Sequence, residues 1–180
     1  MQAIEPSQAQ TVTTHNIVDI SDKPLPRSAD PLPEDAGKVV HRSFDIGDLH
    51  FLTNSWNKSY RKYRSSISDE DYYYGQDALI YALSSQSNII IACDEKEPFY
   101  IYGWACGKLD ADDKTLVLHY VYVKQAYRSR NIAKTLVYGL GYRDGADIVA
   151  THWTNPIRDI SQKYKLRFNP YLLNIGQQNV

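Results

Sequence analysis

Long apolar runs are missing from this chain of 180 residues, and no stretch approaches the roughly 18 apolar residues of a membrane-spanning helix. The start lacks a basic segment followed by an apolar one, so no secretory signal is visible. Charge imbalance is missing too. A net charge of −1 gives no argument for nucleic acid or for an acidic membrane surface. Cysteine is scarce. Cys93 and Cys106 both fall in apolar, strand-like segments and read as buried, reduced thiols, which points to a cytoplasmic setting. There is no CxxC, HExxH, P-loop or GxSxG pattern, so zinc, nucleoside triphosphate and serine-hydrolase chemistry lack support and no metal is expected. Phenylalanine is rare, with 4 against 15 tyrosines. Tyrosine buries a ring while its hydroxyl still needs a partner, which suits polar-lined clefts, interfaces and half-wet cores alike.

The remaining composition is that of one globular domain with a sizeable core: 43% apolar and 23% charged residues. Residues 1–38 differ in character from the rest of the chain. They hold Pro6, Pro24, Pro26, Pro31 and Pro33, many polar residues, and only the short apolar patch Ile17, Val18, Ile20. Such a segment buries too little to offset its ordering entropy, and is expected to be an extended or disordered arm. The sharper alternative is an arm that orders on a protein assembly partner, anchored by Ile17, Val18 and Ile20.

From Val39 the pattern turns globular and continues to residue 180. A first strand is expected over Val39–Asp45, with Asp48 as N-cap of a helix Leu49–Tyr63 whose stripe is Leu49, Leu52, Trp56 and Tyr60. A second helix begins at Ser68 with acids in its first turn and runs to Ser84. Strands Asn88–Cys93 and Pro98–Lys108 come next, then a polar turn Asp110–Lys114 and a strand Thr115–Val123. Helix Asn131–Tyr142, strand Asp147–Thr151, helix Asn155–Lys165 (Pro156 at its first position) and a final strand Arg167–Ile175 complete the chain. Tyr72, Tyr73 and Tyr74 at the start of the second helix cannot all face inward. The basic run Lys58–Arg64 with Tyr60 and Tyr63 reads as a solvated helix end, with nucleic-acid contact as the thinner option.

The segment Leu116–Tyr138 carries a mechanism. An apolar strand feeds a helix through a basic turn holding Arg128, Ser129, Arg130, Asn131, Ile132 and Ala133. Such a turn points several backbone N–H groups at one spot, at the positive end of a helix, and so suits phosphate or pyrophosphate. Arg128 and Arg130 add mobile positive charge.

These residues resemble the acyl-CoA-binding motif of the GNAT acetyltransferases, Q/R-x-x-G-x-G/A after a strand ending in Val. Arg128 stands at the Q/R position, Asn131 at the first Gly and Ala133 at the second. Val123 is the strand-terminal Val, and Gln125 stands where Pro is common. The order of elements extends the resemblance loosely over residues 39–175. The resemblance implies a mixed α/β fold, a bent mixed sheet flanked by helices. It also implies that the strand carrying Val123 splays from the next one, so that a pantetheine arm lies in the gap like a pseudo-strand. Acetyl-CoA or another acyl-CoA would then be held by Tyr122, Val123, Arg128, Ser129, Arg130, Asn131, Ile132, Ala133 and Asn155. Asn131 replaces a Gly whose missing side chain admits the pyrophosphate, although Asn tolerates a left-handed backbone better than other non-Gly residues.

Acetyl transfer to a small-molecule or protein amine needs a proton acceptor and a proton donor. His119 is the candidate base. Strand alternation would place it with Val121 and Val123, opposite Tyr120 and Tyr122. Tyr164 is the candidate acid. His152 and Trp153 are expected as walls on the substrate side. Leu116–Val123 holds no Asp or Glu, where some family members carry a carboxylate. That departure, Asn131, the tyrosine excess and the Pro-rich arm leave a second expectation open: a GNAT-fold interaction protein without turnover. A compact domain behind an extended arm also resembles small bacteriophage-encoded proteins, which would act in a virion or in the host cytoplasm.

Overall fold

The computed structural model describes residues 37–110, 114–161 and 165–173. The expected arm lies almost wholly outside the described residues. So do the tip of the Asp110–Lys114 turn, Tyr164 and the end of the last expected strand.

Six strands form one sheet in chain order: β1 (Val39–Ser43), β2 (Asn88–Asp94), β3 (Ile101–Leu109), β4 (Thr115–Val123), β5 (Asp147–Ala150) and β6 (Leu166–Phe168). The first four pair antiparallel; β4 with β5, and β5 with β6, pair parallel. The parallel pairs follow from the crossovers, since β4 returns to β5 through helix α3 (Ile132–Gly139) and β5 to β6 through α4 (Asn155–Ser161). Helices α1 (Leu49–Tyr60) and α2 (Asp69–Gln86) sit between β1 and β2 in sequence. This is the expected mixed α/β fold with a mixed sheet flanked by helices.

Strand alternation sorts the sheet into two cores. On one face, Ile91, Cys93, Trp104, Cys106 and Tyr120 meet Leu52, Trp56 and Tyr60 of α1 and Tyr72, Ile80 and Leu83 of α2. On the other, Ala92, Tyr102, Ala105, Leu116 and Leu118 meet Ile132, Leu136 and Leu140 around α3 and Ile157 of α4. The spacing of four that puts Leu52, Trp56 and Tyr60 on one stripe buries all three. Full burial of a side chain such as Leu136 is worth about 1.5–3 kcal/mol. Both cysteines are buried free thiols, and burial pushes Cys106 up to about 12.

Some expected ends move. Helix α1 stops at Tyr60, and Arg61–Arg64 tighten into a 3-10 turn. There Arg61 is tied to Asp69 at 2.7 Å and to the carbonyls of Arg64 and Ile67, so part of the basic run is structural. Asp48 does not cap α1. Its buried carboxylate instead accepts Arg42 Nη1 and Nη2 at 2.7 and 2.8 Å and the Asp45 N–H at 2.9 Å. A two-pronged charged pair is a stronger use of the oxygens than a neutral cap. Ser68 caps α2, accepting from the Asp71 N–H at 3.1 Å. Of the three successive tyrosines, Tyr72 is buried and donates to the Asn57 carbonyl, whereas Tyr73 and Tyr74 are exposed. The last strand is only Leu166–Phe168, followed by a 3-10 turn at Pro170–Leu173.

Candidate functional site

β5 pairs over its whole length with only the first half of β4, from Thr115↔Asp147 to Leu118↔Ala150. A last bond joins the Thr151 N–H to the Leu118 carbonyl at 3.1 Å. β4 then runs on to Val123 with no described strand on that side. The Lys124 N–H donates to the Tyr102 carbonyl at 2.8 Å, so the β4 backbone faces β3 at Lys124 and Tyr122. It faces away at Val123 and Val121. The N–H and C=O of Val121 therefore line a slot in the middle of the sheet.

A β-bulge sits where the strands part. Cys106 pairs with Tyr120 and the next residue, Gly107, pairs with Leu118, which leaves His119 as the extra residue. A Cβ at Gly107 would lie 2.6 Å from the Val117 carbonyl, so glycine permits this close approach. The bulge shifts the phase of the strand. Leu116 and Leu118 share the α3 face with Val121 and Val123, while Tyr120 and Tyr122 face α1. Simple alternation had grouped His119 with Val121 and Val123. The extra residue instead leaves its ring against Thr151 and beside His152 on the α1 side.

At the far end of the slot the chain turns through Gln125–Tyr127 into a loop where Ser129 has φ 65 and Asn131 φ 60. Both are left-handed. Asn131 is the N-cap residue of α3, yet its side chain makes no cap bond. The first intrahelical bond is from the Thr135 N–H to the Asn131 carbonyl at 3.0 Å. The amides of Ile132, Ala133 and Lys134 thus stand at an uncapped, positive helix end. Arg128, Ser129, Arg130 and Asn131 are all exposed around it. Arg128 Nε donates to the Val123 carbonyl at 3.2 Å.

The α1-side wall of the slot is aromatic. Trp56 stacks on Tyr120 at 4.6 Å, and the His152 ring packs edge-on against Trp56, Tyr60 and Tyr120. The Tyr120 hydroxyl bonds Ser59 Oγ at 2.9 Å. Tyr63 reaches across to the other side, its hydroxyl accepting the Asn155 N–H at 3.0 Å. Trp153 packs on Phe168 at the rim, where both are partly exposed. His119 and His152 are each 3% exposed. Burial drives His119 down to about 4, helped by Lys108, and His152 down to about 3, helped by His119 and Arg64. Both rings are neutral near pH 7.

The acetyltransferase (GNAT) family model matches residues 49–140, from the start of α1 to just past α3. The chain belongs to the GNAT acetyltransferase family. Solved structures similar to this GNAT chain include aminoglycoside N-acetyltransferase AAC(6')-Iy in complex with CoA, at TM-score 0.45 and 17% identity over 83% of this chain and 95% of that one. They also include PaiA N-acetyltransferase from Thermoplasma acidophilum in complex with coenzyme A, at TM-score 0.40 and 20% identity over 57% and 69%. A third is a GNAT-family acetyltransferase from Staphylococcus aureus Mu50, at TM-score 0.41 and 19% identity over 57% and 64%. No curated protein matches the sequence.

The geometry brings together most of the residues singled out in the sequence. Arg128 to Ala133 cluster at the helix end, with Val123 at the slot beside them. Asn155 lies across the slot, engaged through its backbone N–H. Tyr122 presents its ring to Phe51 of α1 and its backbone to β3 rather than to the slot. Sequence reasoning did not select Val121, whose backbone lines the slot, nor Thr151, whose hydroxyl lies between the two histidines. The position of Val121, two before the strand-terminal Val, was the available signal for the first. Nothing local marks Thr151.

Proposed function

We propose that this GNAT chain transfers an acyl group from an acyl-CoA, with acetyl-CoA as the simplest donor, to an amine of a small molecule or protein. The observation that carries the reading is the slot: an unpaired β4 edge that ends at an uncapped helix start flanked by two arginines. The residues fit the donor. A left-handed Asn131 preserves the turn that Gly would give, and its side chain caps nothing. The amides of Ile132, Ala133 and Lys134, with Arg128, Ser129 and Arg130, would hold the diphosphate. The Val121 backbone and the Val123 N–H would pair with the pantetheine amides, and Asn155 would close the other side. When bound, the acyl-CoA supplies an activated thioester.

The chain's own residues do the rest. The aromatic wall of Trp56, Tyr60 and Tyr120 excludes water from the point where β4 and β5 part, which strengthens each polar contact there. His119, neutral and located at that point, accepts the amine proton. Tyr164 is kept as the proposed proton donor to the departing sulfur. Calorimetric titration with acetyl-CoA tests the reading. Binding is expected for the parent and a large loss for the Arg128→Ala, Arg130→Ala double variant. No binding by the parent at millimolar acetyl-CoA would remove the proposal.

A second reading, an interaction protein assembled through residues 1–38, draws support from the depth of the two histidines, which leaves no solvent-exposed base among the described residues of the slot. Size-exclusion chromatography with and without that segment tests it. An unchanged monomer in both cases argues against it.

A further inference from the structure

The two histidines are not independent. His119 Nδ1 lies 3.1 Å from Thr151 Oγ1, and Thr151 Oγ1 lies 3.0 Å from His152 Nδ1. A hydroxyl carries one proton. It can donate to one imidazole, and then has only lone pairs to offer the other. With both rings neutral, an arrangement that uses this proton between the rings has one bare Nδ1 and one Nδ1–H. In that arrangement Thr151 holds the rings in opposite tautomers.

The position of this trio is specific. His119 is the bulge residue, Thr151 makes the last bond that joins β5 to β4, and His152 is the next residue into the aromatic box. The three therefore sit at the apex of the slot. The His152 centroid is 5.2 Å from Trp56, 5.0 Å from Tyr60 and 6.0 Å from Tyr120. This packing holds the His152 ring in place and, by burial, neutral.

We propose that His119, Thr151 and His152 form one hydrogen-bonded unit, in which Thr151 and His152 are positioning residues that set the tautomer of His119. The proposal rests on the acyl-transfer reading. In the working arrangement, His119 Nδ1–H donates to Thr151 Oγ1 and the Thr151 hydroxyl donates to His152 Nδ1, so His119 Nε2 is bare. An acceptor N–H bond then breaks and its proton joins His119 Nε2, the electron pair staying on the amine nitrogen. His119 then holds a proton on each nitrogen, its Nδ1–H still donated to Thr151 Oγ1 and the Thr151 hydroxyl still donated to His152 Nδ1. One proton has entered and one positive charge rests on His119. No further reactant is needed.

The alternative is a buried histidine pair that merely satisfies its own hydrogen bonds. Nitrogen-15 histidine spectra of the full chain near neutral pH separate the two, with His119→Gln and His152→Gln assigning the signals among the five histidines. Opposite tautomers for His119 and His152 are expected. Thr151→Val should shift at least one ring, and Thr151→Ser should leave both as in the parent. Thiol release from acetyl-CoA, with n-propylamine as the probe amine, supplies the second readout. Thr151→Val should lower kcat by about 100-fold. The KM for acetyl-CoA should stay unchanged, and Thr151→Ser should recover most of the rate. Identical tautomers in the two rings, or an unchanged kcat in Thr151→Val, would overturn the unit. Absence of acetyl-CoA binding would instead overturn the acyl-transfer reading, leaving any tautomer pairing intact, so the two failures are told apart.

Discussion

Arg128 Nε donates to the carbonyl of Val123 at 3.2 Å, folding the side chain back over the open edge of β4. This contact anchors the guanidinium at the open edge of β4. Arg128→Lys keeps the charge and loses the planar fork. We expect acetyl-CoA affinity to fall by about 5-fold to 10-fold in calorimetry, close to the net worth of one hydrogen bond.

Asn131 holds a left-handed backbone at φ 60. Glycine adopts that conformation freely, whereas a β-branched residue resists it. Asn131→Gly should keep the fold and bind acetyl-CoA at least as tightly as the parent. Asn131→Val should lose about 1–2 kcal/mol of stability. Thermal melts and calorimetry on the same samples check both statements.

The Arg42–Asp48 pair ties β1 to the entry of α1. Burial by itself would raise the Asp48 carboxyl, but the bonds from Arg42 and the Asp45 N–H outweigh it and hold the group below the usual carboxylate range. Asp48→Asn should cost about 2 kcal/mol in urea unfolding, since it leaves Arg42 facing a neutral amide. Asp69→Asn, which breaks the exposed Arg61–Asp69 pair, should cost under about 0.5 kcal/mol. Because the folded Asp48 value is depressed, its contribution is present above the ordinary carboxylate range and disappears as the pH drops through the folded value.

The buried histidines act at milder acidity. Their folded values, about 4 for His119 and about 3 for His152, lie below the ordinary 6.5. Between these limits the unfolded chain binds more protons than the folded one, so stability falls as pH falls. The slope approaches about 1.4 kcal/mol per pH unit for each ring. Urea midpoints measured from about pH 7.5 to pH 5 should decline. Replacing both histidines with Gln should flatten that decline; an unchanged slope would show that the rings are charged in the fold.

Much of the scaffold was legible because its signals are local. Strand Thr115–Val123 is marked by a β-branched and aromatic run, and the stripe of Leu52, Trp56 and Tyr60 by its spacing of four. The end of α1 was not, since Arg61–Arg64 are good helix formers whose tightening depends on Arg61 meeting Asp69 and two carbonyls. Asp48 read as a cap because its real partner, Arg42, belongs to a different element. The bulge left no trace either. One inserted residue has no signature of its own, and its presence is fixed by how β3 registers on β4 at Gly107. The helix-end arginines were therefore visible in sequence, whereas the trio centred on Thr151 joins a residue of β4 to two that lie just past the end of β5.

The divided sheet gives the two halves of the molecule separate duties. An extended guest entering between β4 and β5 would be gripped by main-chain amides, which every amino acid possesses. What lies opposite the α1 wall is recognised by rings that a single codon change can replace. Selectivity on that side can therefore drift while the grip survives.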